Sequence, residues 1–515
     1  MPLEPGGPAS PLRPDPATRY QVAVEPRTNP LPGSSPPLAP HPSPLTPPVH
    51  TVVLGAGLAG LATAFEIAKA GGKVTILEKE DYAGGMATSW QCGPYWLDHG
   101  PHRFHSRDEE LIRHIYEILD NQVVIRERLS RIYMQGKFFH YPLKTQNLLQ
   151  NMPKGILMKA AWDYAWIRMV QLFKKIPDDN FENWVLKRFG RTLYEIFFGT
   201  YTAKAWKMPC TEISADWASQ RISQANLWDT VKKTLRPPSD GSVRSLVSEF
   251  WYPAHGGIGE IGRKYAEKIR AMGAEIHLST PVVRIEIDGA KNARRVIGMK
   301  DGREHAFECD KVVNTMPLPR MLEAFDPGID DEVREAISRL KYSSIVFSYL
   351  EVEQPSVSPD HWIYLPEKEL TVHRISEFKN FSDDAAPGDR TVVCCEMTCR
   401  RGDEIWNLDL EGAAKIAARD LETVGLIERG SAKGIDIARV RYAYPIYDLT
   451  YKENLETLKR AAKEIGNLHT TGRQGLYRYN NMDHSIAMGR RIAKTVLKGR
   501  DARAEEVAAG QEYFG

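Results

Sequence analysis

The chain has 515 residues, 42% of them apolar and 26% charged, and its 68 Lys plus Arg against 66 Asp plus Glu give a net charge of +2. That composition excludes collagen-like, disulfide-scaffold and wholly disordered classes and allows one large or two to three smaller domains. So even a charge balance offers no electrostatic footprint for nucleic acid. Six cysteines, three of them bunched as Cys394, Cys395 and Cys399, lack the spacing of a metal site or a disulfide framework.

Sixteen of the 34 prolines fall in the first 48 residues, where missing backbone donors and scarce apolar side chains predict a disordered, proline-rich tail over residues 1–49. Folding is expected to begin at His50–Leu54, a short β-branched run that ends on a glycine, as a buried parallel strand does. A glycine-rich helix start and the strand Lys73–Glu78 complete a βαβ unit. Helical periodicity then dominates residues 106–251, in Glu109–Leu119, Pro153–Phe173 and Phe181–Phe198. Within it, Gly155–Lys175 is the most apolar stretch, yet Lys159, Asp163 and Arg168 interrupt it, so an amphipathic helix packed on the protein is expected rather than one on a membrane. No run approaches the length of a transmembrane helix and no secretion signal is evident, so a cytoplasmic protein without a transmembrane segment is expected.

Beyond residue 251, a helix at Gly259–Met272 leads into the strands Glu275–Leu278, Val282–Ile287, Arg295–Met299 and Lys311–Asn314. Ile345–Val352, Val392–Met397 and Ile437–Tyr444 predict a second sheet, and Met482–Leu497 a closing helix. The expected fold is α/β. A discontinuous Rossmann-like domain (50–105, 252–320, 465–500) carries a helical insertion (106–251), an α+β substrate domain (321–464) and a C-terminal tail (501–515).

Gly55, Gly57 and Gly60 form G-x-G-x-x-G between the first strand and its helix. The first glycine permits the tight turn, the second lets backbone approach a pyrophosphate, and the third seats helix on strand. Glu78 stands 18 residues beyond Gly60 at the end of the second strand, placed to accept ribose hydroxyls. A second glycine pair, Gly84–Gly85, followed by Met86, extends close backbone approach along a longer cofactor and favours FAD over NAD. At the other end of the chain, Thr471–Gly472–Arg473 and Asn480–Asn481–Met482 precede the closing helix. Its free amides can favour negative charge on a reduced flavin, and Asp483 or Ser485 would cap it.

This arrangement resembles flavoproteins of the amine oxidase, protoporphyrinogen oxidase and UDP-galactopyranose mutase superfamily, and Met86 after the glycine pair resembles the mutase branch. Leu97–Ser106 (LDHGPHRFHS) is similar to that branch's flavin loop, Gly136–Leu143 (GKFFHYPL) to its uridine-side loop, and Leu193–Trp206 (LYEIFFGTYTAKAW) to its most specific motif. The resemblance implies a pyranose/furanose mutase acting on a nucleotide sugar, active with reduced FAD, whose flavin N5 is the nucleophile at the anomeric carbon. It places Phe197, Phe198, Tyr201 and Trp206 around the base and sugar. Arg221, Arg473, Tyr444 and Tyr479 fall at the diphosphate and active centre, and His102 beside the flavin. An acidic residue of the family is replaced by Asn481. The implied partners are the nucleotide sugar, an electron donor such as NAD(P)H or a reductase, and a second copy in a homodimer. The alternatives are an FAD-dependent oxidase or desaturase acting on an amine, porphyrinogen or polyene, and a non-catalytic flavin scaffold. The tyrosines and arginines of Phe181–Arg221 disfavour the former.

Overall fold

The β-branched run His50–Leu54 is the central strand of a five-stranded parallel sheet in the computed structural model, which describes residues 49–141, 145–222 and 249–499. The strand order is Leu468–Thr470, Lys311–Asn314, His50–Leu54, Lys73–Leu77, Glu275–His277. Val52 lies opposite Val312 on one side and Thr75 on the other. Parallel neighbours need a crossover, and Leu58–Lys69 supplies the first, buried along nearly its whole length. The closing helix, Met482–Lys498, packs onto it at backbone distance: a Cβ built on Gly489 would stand 2.2 Å from the Ala59 carbonyl oxygen. Beside this layer, Arg303–Glu308, Ala293–Lys300, Val282–Ile287 and Phe325–Asp326 form a four-stranded sheet.

The second expected sheet has seven strands, in the order Ala432–Pro445, Tyr342–Val352, Thr391–Cys399, Arg374–Glu377, Trp362–Tyr364, Ser130–Met134, Lys137–His140. Alternation divides its side chains between two faces. Val346, Leu350, Val393, Cys395 and Met397 pack with Ala413, Ala417 and Leu421 of the helix Leu410–Thr423. Phe347, Tyr349, Trp362 and Cys394 point the other way, into the core shared with the parallel sheet.

Three expectations are corrected. Residues 106–251 are not simply helical: Val123–Glu127 pairs with Glu249–Pro253, and Ser130–Met134 with Lys137–His140 joins the seven-stranded sheet. That sheet therefore draws on both the 106–251 and the 321–464 segments, which the sequence reading keeps apart. Phe181–Phe198 is not one helix either. It stops at Phe189 because Gly190 takes φ +80°, and the chain restarts as a helix over 191–206 with a π turn at Tyr194–Gly199. Asp163 anchors that restart, accepting from the Thr192 backbone N–H and hydroxyl. Finally, the closing helix is capped by Asn481, in a capping box with His484, and not by Asp483 or Ser485. The expected tails, apart from Val49 and the residues up to 499, lie outside the described residues.

Candidate functional site

The three fingerprint glycines are distinguished by what a Cβ would meet. Gly55 has φ +101°, and its Cβ would fall 2.7 Å from Thr315 Oγ1. At Gly60 it would fall 2.0 Å from the Gly55 carbonyl oxygen, inside any contact distance, so helix and strand can meet only through glycine. At Gly57 it would meet nothing within 4 Å. Gly84 and Gly85, at φ +117° and +62°, close over the turn: Gly84 N–H donates to Ala56 O (2.8 Å), and a Cβ on Gly85 would be 3.0 Å from Gly57 Cα.

Glu78 is buried at the end of its strand and accepts from Ala56 N–H (2.7 Å) and Glu80 N–H (3.0 Å). Burial raises its pKa, and each carboxylate oxygen keeps a lone pair for a hydroxyl donor. A cavity of about 480 Å³ opens beside the glycine pair, lined by Asp81, Tyr82, Thr88, Trp90, His99 and Asp436 among others. The buried Thr471 Oγ1 and His102 Nδ1 have no hydrogen-bond partner among the described residues. The open backbone at Gly57, the buried Glu78 carboxylate and the unpartnered Thr471 Oγ1 and His102 Nδ1 fit a bound dinucleotide.

The loop 98–105 reaches the same region and is pinned from several sides. Asp98 accepts from Tyr252 Oη (2.6 Å) and Ser89 Oγ (2.5 Å), its carbonyl accepts from Tyr349 Oη (2.8 Å), and Phe104 exchanges backbone bonds with Trp251. His102 follows. Burial, then the neighbouring His99 and the positive groups Arg473, Arg374 and Arg103, pull it down to about 3, so its imidazole is neutral.

Above the loop, cross-strand neighbours on one face of the seven-stranded sheet form a row: Tyr364 opposite Arg374, and Arg374 opposite Glu396. Arg374 grips Glu396 with two bonds, Nε to Oε1 at 2.6 Å and Nη2 to Oε2 at 2.7 Å, and reaches Tyr444 Oη at 3.4 Å. Burial draws the guanidinium down, but Glu396 together with Tyr444 and Tyr201 outweighs it and holds Arg374 well above its ordinary value. Glu396 in turn abuts the loop, since a Cβ on Gly100 would be 3.0 Å from its Oε1.

Arg103 lies over the Trp362 ring at 4.2 Å, and burial pulls it down to about 10. Arg128, lowered by burial and facing Tyr141 and Tyr364, leaves Nη1 without a partner. Arg473 donates to the carbonyls of Asn480 (2.9 Å) and Ala443 (2.8 Å) and covers the rings of Tyr479 (4.3 Å) and Tyr444 (5.1 Å). Among the described residues, none of Arg103, Arg128 and Arg473 pairs with a carboxylate.

Aromatic rings wall this group. Tyr444 stacks on Tyr479 (5.5 Å), Trp206 meets Tyr444 edge-on (5.3 Å), and Tyr201 meets Tyr364 (5.5 Å). Of the residues expected at the site, His102, Tyr201, Trp206, Tyr444, Arg473 and Tyr479 thus converge. Phe197 and Phe198 leave the π turn in different directions. Phe197 packs with Ile132, Met134 and Phe139, and Phe198 lies on Phe189 at 5.1 Å, so both serve packing. Arg221 ends the helix Ala215–Arg221, and its side chain lies outside the described residues. Asn481 is the helix cap, its Nδ2 3.4 Å from His105 Nε2, with Met482 the first helical residue and Gly472, at φ +79°, packed on Ala59.

Sequence reasoning missed Arg103, Arg128, Tyr364, Arg374 and Glu396. It also gave no role to Lys204, whose ammonium donates to the carbonyls of Leu365, Glu367 and Val372 (2.7–2.9 Å) and ties the aromatic helix to the hairpin ending at Arg374.

A glycine fingerprint on a parallel sheet, a buried acid at the end of its second strand and a second, larger sheet sharing its core define a dinucleotide-binding architecture. The sequence profile of the flavin containing amine oxidoreductases matches residues 58–497, and the chain belongs to that family. It is similar to the all-trans-zeta-carotene desaturase of Myxococcus xanthus, 24% identical over 62% of this chain and 63% of that protein. It is also similar to the UDP-galactopyranose mutase of Mycoplasma pneumoniae, 20% identical over 87% of this chain and 96% of that one. Against several other curated relatives the chain spans about half of their length. Among solved structures, a reduced UDP-galactopyranose mutase superposes with a TM-score of 0.77 at 20% identity, covering 90% of this chain and 98% of that one, a likeness of fold.

Proposed function

We propose that the chain is an FAD-dependent mutase interconverting the pyranose and furanose forms of a nucleoside-diphosphate sugar. The observation that carries this reading is a group of half-buried arginines, Arg103, Arg374 and Arg473 around His102 with Arg128 beside Arg103, in which only Arg374 has an ion-pair partner, Glu396, among the described residues. Guanidinium groups withdrawn from water without counter-charge are costly. A diphosphate supplies the missing charge and bidentate acceptor oxygens. An amine would be repelled there, and a polyene would leave the charges unanswered, so the oxidase and desaturase readings fit less well. The nearly full-length similarity to a UDP-galactopyranose mutase supports the same choice.

In this reading Gly57 lets the backbone approach the FAD pyrophosphate on the turn that Gly55 and Gly60 shape, Glu78 takes its ribose, and Gly84, Gly85, Met86, Gly472 and Met482 its remaining length. Bound and reduced, the flavin supplies a nucleophile, N5, for the anomeric carbon. The protein's part is electrostatic and steric. When the bond from the anomeric carbon to the diphosphate breaks, its electron pair goes to the diphosphate oxygen, and Arg103, Arg374 and Arg473 hold that anion in place until the same bond re-forms on the other ring size. Tyr201, Trp206, Tyr444 and Tyr479 flank the sugar and base and keep water out. His102, neutral, exchanges hydrogen bonds with the cofactor edge without adding charge. There is no net oxidation, so an electron donor such as NAD(P)H or a reductase serves only to keep the flavin reduced.

Anaerobic incubation of dithionite-reduced protein with UDP-galactopyranose and related nucleotide sugars tests this. Anion-exchange separation should show an isomer of unchanged mass from one donor with reduced protein and none with oxidised protein. Oxygen uptake with amines or porphyrinogens, with no isomer from any donor, would refute it.

A further inference from the structure

The helix Lys154–Phe173 has two unlike faces. Ile156, Ala160, Asp163, Ile167 and Gln171 recur every three or four residues on its inward side, where Asp163 meets Thr192 and Gln171 donates to the Lys187 carbonyl (2.7 Å). On the opposite side Met158, Trp162, Trp166, Met169 and Phe173 recur with the same spacing and are 69, 70, 53, 45 and 86% exposed. The sequence predicts this stripe packed on the protein. Instead it faces outward, and two solvent-facing tryptophans in one row are not the ordinary scatter of exposed apolar side chains.

The polar residues bordering the stripe are of one sign. Lys154, Lys159, Arg168, Lys174 and Lys175 are all exposed, and the helix's own acid, Asp163, is turned inward to Thr192. No helix among the described residues is long and apolar enough to cross a membrane. An apolar stripe with Trp and Phe, cationic borders and too little overall apolarity to span are the features of a helix lying in a bilayer interface, its bases toward anionic headgroups.

We propose that Lys154–Phe173 docks the protein on an anionic lipid surface, with Trp162, Trp166 and Phe173 entering the headgroup and acyl boundary. Charge complementarity selects this occupant. A second copy of the same face would set Lys159 and Arg168 against their own counterparts with no acid to relieve them.

The test is flotation of the full-length flavoprotein with vesicles of phosphatidylcholine alone and of phosphatidylcholine with phosphatidylglycerol, in low and high salt. Binding is expected on the mixed vesicles, at least tenfold weaker on phosphatidylcholine alone, and weakened by salt. A W162S/W166S variant should lose at least tenfold in vesicle affinity while keeping flavin content and melting temperature, because both side chains stand in solvent. K159E/R168E should lose the preference for the anionic vesicles. Sedimentation without lipid covers the other occupant. A self-association that W162S/W166S abolishes, together with no flotation of the parent protein, would overturn the proposal. So would equal flotation on both vesicle types at all salt concentrations.

Discussion

Glu396→Ala is expected to cost about 3–5 kcal/mol of stability, the usual consequence of breaking one side of a buried ion pair, and to be the most damaging single change in the larger sheet. Glu396 is fully buried, holds both arms of Arg374's guanidinium and fills the space left by Gly100. Without its carboxylate, Arg374 keeps its charge in the same interior as Arg103 and Arg473 and has only Tyr444 Oη to bond. Domains are stable by only about 5–15 kcal/mol, so the variant should unfold many degrees below the parent. Glu396→Gln preserves the shape and should lose less. Replacing both partners with apolar residues of similar volume should recover most of the loss yet still remove an arginine from the site. Thermal unfolding of the three variants, with and without a nucleoside diphosphate, checks this. If Glu396→Ala melts like the parent, the pair is not the keystone of this face.

The second large effect separates two glycines three residues apart. Gly60→Ala puts a methyl 2.0 Å from the Gly55 carbonyl oxygen, so strand and helix must part, and both folding and flavin retention should suffer. Gly57→Ala meets no protein atom within 4 Å, and its φ of −69° suits alanine, so that variant should fold with near-parental apoprotein stability. Its methyl would instead occupy the cofactor's approach. Purified Gly57→Ala is therefore expected nearly colourless but well folded, and Gly60→Ala poorly folded, as read from flavin absorbance and circular dichroism on the same preparations. A yellow Gly57→Ala would place the pyrophosphate elsewhere.

The cofactor end of the molecule was legible from sequence because its determinants are local. Three glycines, an acid 18 residues on and the flanking strands lie within one βαβ unit, and each constraint acts on neighbouring backbone. The arginine group was not legible, because Arg103, Arg128, Arg374 and Arg473 come from four separated segments and meet only through sheet pairing. Arg374 sits in a four-residue strand whose partner is fixed by register, and a short strand carries little periodic signal. The strands at 130–140 were hidden among helices, although Gln135–Gly136, both at positive φ, form the two-residue turn of a tight hairpin and were the available cue. The motif alone assigns Phe197 and Phe198 to the substrate. A π turn rotates successive side chains away from helical spacing, and adjacent rings were turned onto different core clusters.

The account rests on a positively charged interior made for a diphosphate beside the flavin. The most direct measurement is titration of the oxidised and the reduced holoprotein with UDP, UMP and uridine, followed by the flavin spectrum and by calorimetry. UDP should bind at least tenfold more tightly than uridine, perturb the flavin absorbance, and lose that advantage in Arg103→Ala and Arg473→Ala at unchanged flavin content. Equal affinity for UDP and uridine, or no binding of UDP while a polyene or an amine perturbs the flavin, would contradict the account.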